Sequence, residues 1–122
     1  MIFRGRVVSG RGYGKFYVTL PWVIAQIEER FGFTPYPGTL NLKVEKDVRS
    51  LVEEKAKVEI EPAEGFCRGL AIEVLIGNAV KAVVVIPKVA NYPEDLIELV
   101  AAENLRLKFN LKDGDEVTVK LL

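Results

Sequence analysis

The runs of β-branched and aromatic residues in this chain are short, and turn signals rather than regularly spaced helices separate most of them. Residues 2–9 (IFRGRVVS) read as a strand, as do 16–20 (FYVTL), 39–44, 57–61, 69–76, 79–86 and 116–122. Gly77-Asn78, between two of these runs, is a two-residue hairpin signal. Pro21 suits a first helical turn, Ile24, Ile27 and Phe31 follow at helical spacing, and Gly32 is placed to end that helix. A weaker helix is expected over Val48 to Lys55. Pro93, Glu94 and Asp95 put proline and acids in another first turn, with Leu96, Ile97, Leu99 and Val100 as its apolar face, so a second full helix is expected there. Leu105 to Asn110 reads as a short helical or irregular piece and Lys112 to Asp115 as a turn. Strands that do not alternate with helices argue against a doubly wound α/β sheet. The expected fold is mainly β: a closed six-stranded antiparallel barrel with two or three inserted short helices, since closure removes the sheet edges. A length of 122 residues suits one domain, 1–122.

Composition narrows the chemistry. There is no histidine, which removes Ser-His-Asp and Cys-His arrangements and every His-ligated metal site. The one cysteine, Cys67, can form neither an internal disulfide nor a cysteine zinc site. A bound metal would be a hard cation on oxygen ligands, such as magnesium. Seventeen basic and 17 acidic residues cancel, so binding to nucleic acid through phosphate neutralisation is not expected. The first residues lack the apolar core of a signal peptide and no run is long enough to span a membrane, so a cytoplasmic protein is expected. A monomer is the default expectation.

Three segments are candidates for a site. In Gly10-Arg11-Gly12-Tyr13-Gly14-Lys15, glycine at every second position lets backbone N–H groups approach an anion, and Lys15 adds a mobile charge. The spacing is neither that of a Walker A loop nor that of a dinucleotide fingerprint, and an ordinary glycine-rich hairpin loop fits it too. In the strand after Pro37-Gly38, Thr39 and Asn41 share one face while Leu40 and Leu42 point to the core. Two neutral oxygens there suit magnesium if phosphate and water complete its octahedron, or simply form the polar face of a half-buried strand. Glu98 and the run Glu103-Asn104-Leu105-Arg106 offer an acceptor and a guanidinium, or a solvated helix face. Tyr13 and Tyr36 lie in loops that suit stacking on a flat ring.

Taken in order, these segments resemble the archaeal CTP-dependent riboflavin kinase family. The likeness rests on residues 10–15, on Gly32 to Leu42 (GFTPYPGTLNL), on the hairpin around Ile76-Gly77-Asn78, on Val85-Ile86-Pro87-Lys88, on Leu105-Arg106 and on Phe109 to Asp115 (FNLKDGD). It implies a six-stranded cradle-loop barrel that transfers the γ-phosphate of CTP to the ribityl 5′-hydroxyl of riboflavin, giving FMN and CDP. By this resemblance Gly10, Arg11, Gly12, Tyr13, Gly14, Lys15, Glu103, Asn104, Leu105 and Arg106 contact the nucleotide, and Thr39 and Asn41 hold Mg2+. Glu98 contacts the flavin and is the acid to test as a base. At a second flavin position, where relatives often carry a hydroxyl residue, this chain has Ala90. Some relatives carry a helix-turn-helix domain before this barrel, and none is expected in this chain. A flavin kinase using ATP and a non-catalytic flavin- or nucleotide-binding barrel remain the alternatives.

Overall fold

The computed structural model describes residues 1–10, 13–63 and 65–122, Tyr13 by its backbone alone. Strand β1 (Ile2–Val8) leads to a one-turn helix α1 (Tyr13–Tyr17) and helix α2 (Pro21–Phe31). Then come β2 (Leu40–Lys43), α3 (Lys46–Lys55), β3 (Val58–Ile60), β4 (Gly69–Ile76) and β5 (Val80–Pro87). The chain continues with β6 (Leu96–Val100), α4 (Leu105–Lys108) and β7 (Glu116–Leu121).

The strands run in the order β3-β4-β5-β6-β2-β1-β7, all pairings antiparallel, and β7 returns to pair with β4 through Val74 to Ile76. That last pairing closes a six-stranded barrel. Strand β3 stays outside it, bonded to the first half of the β4 edge whose second half takes β7. Alternating side chains fill the interior: Leu40 and Leu42 from β2, Val74 and Ile76 from β4, Val84 and Ile86 from β5, Ile97 and Leu99 from β6, Val117 and Val119 from β7. A second apolar layer covers part of the outer face. Val23 and Ile27 of α2 pack there with Tyr17 and Val18 on Ala71, Val83, Val85 and Val100. Pro21 opens α2, and Gly32 at φ 78° closes it with its N–H on the Glu28 carbonyl, as the sequence requires. Gly77 and Asn78 both have φ 57°, and with Ile76 paired to Val80 they open a three-residue hairpin loop, 77–79, between β4 and β5.

The helix expected over residues 93–100 is instead β6. It is buried on both faces: Ile97 and Leu99 point into the barrel, Val100 joins the outer apolar layer, and Glu98 is covered by Gly14, Thr39 and Tyr92. A strand with two dry faces loses its alternation, and its apolar run mimics one side of a helix. Residues 16–20 are not a strand: α1 ends at Tyr17 and turns through Val18 and Thr19, with Val18 N–H on the Gly14 carbonyl. Tyr17 and Val18 are buried while Phe16 is exposed, a pattern set by packing on β5 rather than by intrinsic preference. The described residues therefore hold four short helices rather than two or three. None of them is long and apolar enough to cross a membrane.

Candidate functional site

The site lies on the outer face of β2 and β6, where the apolar layer stops. Register pairs Asn41 with Glu98, so their side chains stand side by side on that face, with Thr39 next to them along the chain. Gly10 and helix α1 lie above. Gly10 sits directly over Asn41, where any Cβ would run into the side-chain amide. Gly14 sits over Glu98, where a Cβ would lie 2.6 Å from Oε2. Both glycines are needed for close backbone approach, not for an unusual φ.

Glu98 is almost fully buried and is the hub of this layer. Its Oε1 accepts the Gly14 N–H at 3.1 Å and the Thr39 hydroxyl at 2.8 Å, and its Oε2 accepts the Tyr92 hydroxyl at 2.6 Å. One carboxylate thus joins α1, the residue just before β2 and the β5–β6 connection. Burial first, then the neighbouring Glu98 carboxylate, pushes the Tyr92 phenol above its ordinary range. The Arg49 guanidinium lies 5.2 Å from the centre of the Tyr92 ring and donates to the Pro93 carbonyl at 2.7 Å. No periodicity or motif singles out Tyr92 or Arg49, because their roles come from contacts distant in sequence.

Beside this hub is a cleft of about 290 Å³. It is lined by Gly10 and Lys15, by Tyr36 to Asn41, and by Leu99, Ala101 and Glu103 to Arg106. Asn104 caps α4 by accepting the Leu107 N–H at 3.2 Å, and its amide donates to the Tyr36 hydroxyl at 3.2 Å. Arg106 is held at the rim by Asp113 at 2.6 Å and by the Val8 carbonyl at 3.2 Å. The two hydrogen bonds from Arg106 and Ser9 keep the Asp113 carboxyl below its usual range. Glu103 pairs with Lys108 at 2.9 Å.

The described residues hold no cluster of three acidic or cysteine side chains that would cage a metal. What the cleft does offer is Asn41 Oδ1, a buried acceptor with no hydrogen-bond partner among the described residues, near Thr39 of the same lining. An orphaned neutral oxygen of this kind suits a hard cation whose remaining ligands come from a bound molecule and water.

The structure thus gathers Gly10, Lys15, Thr39, Asn41 and Glu103 to Arg106 around one cleft. Arg11 and Gly12 lie outside the described residues, as does the Tyr13 side chain. Glu98 is sealed beneath Gly14 and does not line the cleft, and Ala90 lies exposed in the β5–β6 connection. Gly14 and Lys15, expected in a loop, belong to α1.

Fold and site together define a small closed barrel with a polar, cation-rimmed cleft on its outer face. The family model for CTP-dependent riboflavin kinase, described as a domain of unknown function, DUF120, matches residues 7–121, and the chain belongs to that family. A riboflavin kinase of Pyrobaculum aerophilum is 41% identical over 97% of this chain and 59% of its own length. One of Methanosarcina barkeri is 38% identical over 96% of this chain and 55% of its own. The chain spans about half the length of most of the curated relatives it matches, whereas 96% of the Aeropyrum pernix riboflavin kinase is covered, at 38% identity.

Proposed function

We propose that this chain is a riboflavin kinase that transfers the γ-phosphate of CTP to the ribityl 5′-hydroxyl of riboflavin, giving FMN and CDP, with magnesium as the divalent ion. The observation that carries the reading is the convergence of Gly10, Lys15, the Thr39–Asn41 oxygen pair and Arg106 on one cleft in a chain of this family. Phosphoryl transfer needs positioning and charge compensation more than covalent help, so a site without histidine is adequate. Lys15 and Arg106 both line the cleft and compensate phosphate charge there. Thr39 and Asn41 would hold the magnesium ion, which offsets charge on the transferred group when bound. Glu103 to Leu105, which also line the cleft, would contact the nucleotide.

Glu98 serves the flavin side. Three of its roughly four acceptor positions are taken by Gly14, Thr39 and Tyr92, so one is left for a ligand hydroxyl, and α1 must lift for that hydroxyl to reach it. Any flavin contact at Ala90 is made by backbone or methyl, since that side chain has no donor or acceptor.

The test is incubation with riboflavin, magnesium and each of the four ribonucleoside triphosphates, followed by chromatography of the flavins. FMN formed with CTP and not with the other three is the expected result. FMN from ATP would move the donor assignment, and no FMN from any of the four would leave a binding module.

A further inference from the structure

The turn Lys112-Asp113-Gly114-Asp115 precedes β7 and is not among the residues that line the cleft, yet it is bonded to Arg106, which lines it, and to Ser9, the neighbour of Gly10, which also does. Asp113 Oδ2 accepts the hydroxyl of Ser9, the residue immediately before Gly10, at 2.8 Å. Asp113 Oδ1 accepts from Arg106 at 2.6 Å. The turn is itself fixed to β1. The Gly114 N–H reaches the Val7 carbonyl and the Val7 N–H reaches the Asp115 carbonyl, both at 2.8 Å. Asp115 Oδ2 caps the Lys112 N–H at 2.9 Å, and Gly114 takes φ 95°, which glycine adopts without strain.

We propose that Asp113 is a positioning residue for the nucleotide: it fixes the start of the glycine segment and the Arg106 guanidinium in one mutual register. A guanidinium carries five donors. Asp113 and the Val8 carbonyl engage Arg106 through one nitrogen, Nη2, and the head stays partly exposed at the cleft rim. Restraining the head from behind lowers the conformational entropy lost when phosphate arrives. The Ser9 bond does the same for the backbone that leads into Gly10. Both effects favour nucleotide and neither acts on riboflavin.

This inference rests on the proposed nucleotide cleft, so binding is measured for both ligands separately. CDP with magnesium is titrated calorimetrically, and riboflavin by quenching of its fluorescence, on the wild type, Asp113→Ala, Arg106→Ala and the double variant. In Asp113→Ala the Kd for CDP should rise about threefold, the scale expected of a solvent-exposed ion pair, while riboflavin Kd and Tm stay close to wild type. In the Arg106→Ala background the same change should cost clearly less, because most of the effect runs through the guanidinium. Equal losses in the two backgrounds, an unchanged CDP Kd, or parallel loss of both ligands together with Tm would each overturn the proposal. If wild-type chain binds riboflavin but no CDP, it is the cleft assignment that fails instead.

Discussion

Replacing Gly14 by alanine sets two physical effects against each other. Gly14 lies inside α1 and does not use a positive φ, so intrinsic helix preference alone makes alanine better by about 1 kcal/mol. The added methyl, however, would lie 2.6 Å from Glu98 Oε2 and closer still to Oε1. A glutamate head is normally free to swing away. This one is 1% exposed and held by three donors, so moving it breaks the Gly14 and Thr39 bonds in a dry setting. Overpacking costs about 1–3 kcal/mol, and a weakened charge-assisted hydrogen bond about as much again. Contact therefore outweighs preference, for a net loss of about 3 kcal/mol, or a Tm lower by about 12 °C for a chain of this size. Thermal melts followed by circular dichroism measure it. In a Glu98→Ala background the same Gly14→Ala change should be neutral or stabilising, since the obstruction is gone. A higher Tm for Gly14→Ala alone would refute the claim that Glu98 is fixed beneath α1.

Three further outcomes follow from the same geometry. Glu98→Gln should raise the KM for riboflavin about tenfold or more and lower turnover by less, because a loose phosphoryl-transfer transition state asks little of a base; collapse of turnover with KM unchanged would instead make Glu98 a base. Burial holds the phenols of Tyr17 and Tyr92 above their ordinary range, so the folded state keeps their protons longer than the unfolded chain. Stability is then complete below about pH 10 and declines above it, and two of the four tyrosines should ionise only on unfolding, as read at 295 nm against pH. The Glu53 carboxyl is held low, first by the hydrogen bond from Lys88, so its contribution is present above the unfolded value of about 4.3 and fades as pH falls through the folded one. The Tm difference between wild type and Lys88→Met should accordingly shrink from about pH 6 to about pH 3.

What the sequence disclosed and what it withheld divide along physical lines. Local signals read correctly: Pro21 and Gly32 bracket α2, Gly77-Asn78 makes the hairpin, and the 39–42 alternation puts Leu40 and Leu42 in the barrel and Thr39 and Asn41 outside. Barrel closure was also legible, because short strands with no regular helical crossovers have few other ways to remove their edges. Misreadings fell where tertiary packing decides. In β6 a doubly buried strand looks like a helix face, and α1 is rich in residues that favour strands. Glu98 was found as a residue but not as a hub, since its partners Gly14, Thr39 and Tyr92 sit on three separate elements. The Asp113 turn looked like punctuation for the same reason: Ser9 is 104 residues away along the chain.

We propose above all that the Thr39 and Asn41 oxygens lining the cleft hold the divalent ion of a bound nucleotide. Titrating Mn2+ against the chain in the presence of CDP, with water-proton relaxation as the readout, tests it in wild type and Asn41→Ala. Nucleotide-dependent Mn2+ binding that weakens at least about tenfold in Asn41→Ala, with Tm held, is the predicted result. Equal Mn2+ affinity in the two proteins would contradict it.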